Sequence, residues 1–243
     1  MDKALRFLLL FFIALSLSAQ RFIPQMLQPA PASGGATFSV VHSVAADASS
    51  LTLTSTTAGN ANIFCLGWEG TAGQSLTVTD NATGGSNTYT LRSSATAVNT
   101  SGSFNTQCWD SLGTAHGGAT SISVSGLTSS YSVSEFYEVH RTSGTWTFDV
   151  GNALNNGTAS GTLVTGPALS MTGAPGFGVT SYLVNNSLAT NPATGSPWTA
   201  GSLTTGDGNG SNAIITASSG SQTSTITDSG SGDFYCASGV AYK

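Results

Sequence analysis

From Thr37 to the C-terminus, apolar residues alternate with Thr, Ser and Asn, and no 3.6-residue apolar period there runs long enough for a helix. Side chains repeating at every second residue line one face of a strand, so this pattern admits β-structure and little else. It is clearest in SLTLTSTT (50–57), SLTVTD (75–80) and ATSISVSGL (119–127), where Leu, Val or Ile point one way and hydroxyl residues the other. One run departs from alternation. ANIFCLGW (61–68) is almost continuously hydrophobic, which predicts a central strand buried on both faces or packed tightly between sheets. About a dozen such segments, divided by Gly-, Ser- and Asn-rich turns, predict an all-β, two-layer antiparallel sandwich over residues 37–243.

Within that frame the turns carry local expectations. NATGGSN (81–87) lies between SLTVTD and TYTL (88–91) and predicts a hairpin, because Asn and Gly accept positive φ cheaply. Ser and Thr then dilute the pattern until SFNTQCWD (103–110). WTFDV (146–150) reads as a short strand or a loop plug. Residues 185–212 lack clean periodicity and predict a long surface loop, with Trp198 tucked back as a plug or, alternatively, exposed for binding.

Composition bears on where such a chain resides. Only 7% of residues are charged and the net charge is −5, so the surface must be covered mainly by neutral polar groups. An acidic balance argues against a nucleic-acid partner, whose phosphate backbone needs a basic footprint. Residues 1–19 follow the plan of a secretory signal peptide, with Lys3 and Arg6, then an apolar run from Phe7 to Leu15, then small residues ending at Ala19. That run is too short for a comfortable membrane span, and no later hydrophobic segment predicts one. Residues 20–36 hold three prolines and read as an extended linker. The expected location is therefore secreted, extracellular or cell-surface, where disulfides are permitted. Cys65, Cys108 and Cys236 allow at most one internal bridge, or all three remain free.

Candidate chemistry is sparse. His42, His116 and His140 show no metal-ligand spacing, and no serine sits in a GxSxG elbow. Glu135 and Glu138 are three apart on an expected strand and so face opposite sides, a poor arrangement for an acid/base pair. An ordinary structural account instead has a glutamate buried against Arg92 or Arg141. GDGNGSN (206–212) resembles a calcium loop but lacks its alternating acids; no cofactor is expected, with Ca2+ held by backbone carbonyls the one option left open. Trp198, Trp146 and Tyr137 are the candidate ligand-stacking residues.

The segments AGN (58–60), Trp68, Thr77 to Asp80, Asn87 to Tyr89, Cys108–Trp109, Gly117 to Val124, Glu135–Phe136 and Phe234 to Lys243 follow one another along the chain. In that order the chain resembles a group of secreted bacterial β-sandwich domains, of the type common in acidobacterial and metagenomic sequences. The resemblance spans about residues 37–243 and implies a jelly-roll-like sandwich, while saying little about activity. In such sandwiches the C-terminal strand often returns beside early core strands. That implies a Cys65–Cys236 bridge, with Cys65–Cys108 as the competing pair. The expectation is an exported, non-enzymatic protein with an extracellular or cell-surface structural or adhesive role. Its partner would be an extracellular glycan or another surface protein. A carbohydrate-binding module using exposed aromatics is the alternative, and a glycoside-active enzyme comes third.

Overall fold

The computed structural model describes residues 36–185, 198–203, 209–216, 219–228 and 230–243. The expected leader, all but the last residue of the expected linker, and most of the 185–212 segment lie outside the described residues. Residues 36–243 form one compact unit.

Its described strands run in the order β1 (Phe38–Ala46), β2 (Ser50–Thr52), β3 (Ala61–Glu69), β4 (Thr77–Asp80), β5 (Thr90–Asn99), β6 (Phe104–Ser111), β7 (Ser121–Ser125) and β8 (Tyr131–Arg141). They continue with β9 (Phe148–Thr158), β10 (Leu163–Thr165), β11 (Leu169–Met171), β12 (Gly176–Val184), β13 (Trp198–Leu203), β14 (Asn209–Thr216), β15 (Gly220–Gln222), β16 (Thr225–Thr227) and β17 (Phe234–Tyr242).

All pairings are antiparallel, and they fall into two nested series. In the first half β1 pairs with β8, β2 with β7 and β3 with β6. In the second half β9 pairs with β17, β10 with β16, β11 with β15 and β12 with β14. Each half is therefore one long ribbon doubled back on itself. Each ribbon is then rolled, so that β3 also meets β8 and β12 also meets β17. A rolled ribbon of this kind is a jelly roll. The resulting sheets have matching orders, β1-β8-β3-β6-β5 in one half and β9-β17-β12-β14-β13 in the other.

These two five-stranded sheets pack face to face and form the central sandwich. Ile63, Cys65, Cys108, Tyr137 and Val139 of the first sheet meet Phe177, Val179, Val240 and Tyr242 of the second in one buried cluster. The sheets approach closely at Gly67, where a Cβ would lie 3.3 Å from Leu183 Cβ across the seam and 3.1 Å from Val133 Cγ2 on the neighbouring strand. The outer faces are covered as well. Phe64, Leu66 and Trp68 turn away from the seam and pack under Leu51, Val78 and Ile122 of the β2-β7-β4 sheet. On the other side Tyr182, Val184 and Tyr235 pack under Val164 and Ile226 of the β10-β16 ribbon. Double cover explains the near-continuous burial of β3, β6, β12 and β17, which the apolar run at 61–68 anticipates for β3.

Three expectations are corrected. The segment 75–91 is no hairpin: β4 pairs with β7 and β5 with β6, so residues 81–89 cross from one sheet to another. Cys65 is bonded to Cys108, not to Cys236. The reason is topological, because the C-terminal strand β17 returns beside β12 and β9 of its own half. Cys236 therefore sits opposite Leu183 and is buried and free, whereas the β3–β6 register sets Cys65 directly against Cys108, with Cα atoms 4.1 Å apart. Finally, Trp198 opens strand β13 and is buried against Leu169, Met171 and Ala241, instead of plugging a loop.

Candidate functional site

Asp80 ends β4 and organises the crossover that follows. Its Oδ1 accepts the backbone N–H groups of Ala82 (3.2 Å) and Asn87 (3.0 Å). Its Oδ2 accepts Asn87 Nδ2 at 2.8 Å and the Tyr89 hydroxyl at 2.9 Å. Ser86 Oγ accepts the Asp80 N–H in return at 3.0 Å. Asn87 then reaches the β6–β7 connection, donating to the His116 carbonyl and accepting the His116 N–H, both at 3.0 Å. Gly84 faces the same histidine at φ +100°, where a Cβ would lie 3.0 Å from His116 Nδ1. Burial, followed by the neighbouring Asp80 charge, pushes the Tyr89 phenol up. The loop is thus stapled from within.

Between this loop and the ends of β5 and β6 lies an open cleft of about 390 Å3. Ser86, Asn87, Thr88, Thr90, Arg92 and Asp110 line it, with Gly113, Ala115 and His116 across from them. Arg92 meets Asp110 as a fork, Nε to Oδ2 at 2.5 Å and Nη2 to Oδ1 at 2.6 Å. Asp110 is 1% exposed at its side chain, and it also accepts the Tyr242 hydroxyl at 3.0 Å. The Arg92 guanidinium stacks 4.2 Å from the Phe148 ring centroid. Burial pulls the Arg92 pKa down, but the hydrogen bonds and charge of Asp110 outweigh it and hold the group above its ordinary value. Tyr242 is raised by burial and then by Asp110. First-half residues of this network therefore bond second-half residues at the mouth of the seam.

A second polar cluster pins the AGN turn. Glu138, fully buried, accepts the Thr57 N–H at 2.8 Å and Asn60 Nδ2 at 2.5 Å through Oε1. Its Oε2 lies 3.0 Å from His42 Nδ1, and His140 Nδ1 is 3.1 Å from Asn60 Oδ1. Of the two buried glutamates, Glu138 is thus held by His42, while Arg92 takes Asp110.

The candidate stacking residues do not converge. Tyr137 and Trp198 are 2% and 4% exposed, and they belong to different core clusters. Neither presents a ring to a ligand, because sheets covered on both faces absorb their aromatics. Trp146 is half-buried and packs on Phe38, with ring centroids 5.4 Å apart. It comes nearest the cleft, since a Cβ on Gly113 would lie 3.7 Å from Trp146 Cδ1. Among the described residues no three His, Cys, Asp or Glu side chains are grouped to hold a metal ion. The calcium-like segment falls partly outside the described residues. Among the described residues no helix is long and apolar enough to cross a membrane.

Fold and cleft together define an all-β, jelly-roll-like sandwich protein that carries a polar cleft at its inter-half seam. No protein-family model and no curated protein sequence matches the chain. Among solved structures it is similar to one described as the crystal structure of the STIV MCP, at 10% identity over 86% of this chain and 97% of that one, with a TM-score of 0.29. That level of similarity does not superimpose the two folds, and the architecture rests on the strand pairing above.

Proposed function

We propose that this protein is exported and serves a structural or adhesive role outside the cell or at its surface, without catalysis of its own. The observation that carries the reading is the Cys65–Cys108 disulfide, buried between the two large sheets. Such bonds form and persist in oxidising compartments and are rare in the reducing cytosol. The signal-peptide pattern of residues 1–19 and the neutral-polar surface composition support the same location. Extensive double-sided cover of both sheets supports a structural role. The resemblance to secreted bacterial sandwich domains belongs to this proposal too.

The aromatic-platform version of a glycan-binding module loses its basis, because two of its three rings are buried. A glycoside-active enzyme would need two carboxylates flanking the cleft. Asp110 lines it, already bound to Arg92 and Tyr242.

Fractionation of the source cells with intact-mass analysis tests the proposal. The expected product lies outside the cytoplasm and has lost the first 18 or 19 residues. Recovery from the cytoplasm at full mass would contradict it.

A further inference from the structure

The cleft concentrates resources that this chain otherwise lacks. Of six Lys and Arg residues in 243, one lines it, stacked on Phe148 and forked to a buried aspartate. A second aspartate, Asp80, staples the loop forming its lip. Cavities of roughly 300–1,000 Å3 hold small ligands, and this one lies near the lower end at about 390 Å3.

We propose that the cleft binds a neutral, polyhydroxylated ligand about the size of one sugar unit. Three features select that class. The two charges in the lining, Arg92 and Asp110, are paired with each other, so no net charge is left for an ionic ligand to answer. The hydroxyls of Thr88 and Thr90 both donate and accept, Ser86 Oγ already donates to the Asn87 carbonyl and accepts the Asp80 N–H, and Arg92 Nη1, bonded to no described residue, only donates. An alcohol matches such a mixed set. A carboxylate accepts only and would leave the lining's acceptors unmatched, a phosphate brings a charge that the paired lining does not answer, and an apolar molecule would strand every polar group at a desolvation cost. The lip is also ordered before any ligand arrives, through Asp80, Asn87 and His116, which lowers the entropy lost on binding. Trp146, behind Gly113, gives the adjoining wall an apolar body.

This inference is independent of export, since a free sugar meets the cleft in any compartment. The test is calorimetric and saturation-transfer NMR titration of the full chain, disulfide intact, with free glucose, galactose, mannose, fucose, xylose and N-acetylglucosamine. A printed glycan array runs in parallel, and acetate and inorganic phosphate are the charged probes. At least one sugar is expected to bind. Ala115→Trp, at an exposed lining position, should abolish that binding by filling the cleft. Thr90→Val should weaken it roughly fivefold through one lost hydroxyl. Thr88→Trp, also exposed, replaces Ala115→Trp if the latter does not melt like wild type. Silence across sugars and array, binding of acetate or phosphate in their place, or undiminished binding by the folded filling variant would each overturn the proposal. None of these results would bear on the exported location.

Discussion

The Tyr242 hydroxyl donates to Asp110 Oδ2 at 3.0 Å, from the last strand of the second half to the sixth strand of the first. Both groups are buried, so the bond joins the two rolled ribbons where little water competes. Tyr242→Phe should cost about 1–2 kcal/mol in urea unfolding. Asp110→Ala, which also strips Arg92 of its partner, should cost about 3 kcal/mol. Equal effects of the two substitutions would mean that the Arg92–Asp110 fork adds nothing.

Asp80 holds the crossover by four accepted hydrogen bonds. Asp80→Ala leaves buried donors on Asn87 and Tyr89 without acceptors and should lower stability by roughly 2–4 kcal/mol. Amide exchange at residues 81–89 should quicken well before global unfolding. Unchanged protection there would show that the loop is held by something else.

What could be read from the sequence follows from where the physics is local. Period-2 patterning and the run at 61–68 reveal strands, and continuous apolarity reveals double cover, because each depends on a few adjacent side chains. The strand β5 is hidden, since its buried residues are Ala95, Ala97 and Asn99, two small and one polar, and so weak as an apolar pattern. The strand β9 is hidden by its Asn155-Asn156-Gly157 stretch, which has turn composition yet forms an irregular edge, with Asn156 at φ 49°. The composition of 81–87 suits a hairpin turn and a crossover loop equally, and only β7 pairing with β4 decides between them. Asp80, Asn87 and Tyr89 are visible as a motif, while the convergence of Asn87 and Tyr89 on Asp80 and the reach of Asn87 to His116 are not. The doubling of the fold leaves one faint trace. Thr37-Phe38-x-Val40 and Thr147-Phe148-x-Val150 begin the first strand of each half, where Phe38 partners Arg141 and Phe148 partners Tyr242.

The seam between the large sheets leaves no room at Gly67. Gly67→Val should therefore destabilise by about 1–3 kcal/mol through overpacking against Val133 and Leu183. Calorimetric melting measures this directly. A melting temperature equal to wild type would place the sheets further apart than described.

Asp149 supplies an acid-sensitive contact. Burial raises its pKa, but hydrogen bonds from the Thr172 hydroxyl and N–H, from Lys243 and from the Gly173 N–H outweigh this and hold it at about 2. A carboxylate depressed in the folded state stabilises above its unfolded value of about 3.9, and that stabilisation is lost as pH falls through the folded value. Stability should thus decline between about pH 4 and pH 2, and Asp149→Asn should flatten that part of the curve. An identical acid limb in the variant would assign the effect to other groups.

Non-reducing peptide mapping of the native protein tests most directly both the strand register of the first half and the proposed export to an oxidising compartment. The expected result is a single linked pair, Cys65 with Cys108, lost on reduction together with about 4 kcal/mol of stability from opening a loop 43 residues in separation. Cys236, whose thiol is pushed up to about 12 by burial, should resist alkylation until the protein unfolds. A linkage involving Cys236, or three free thiols in the native protein, would contradict the account.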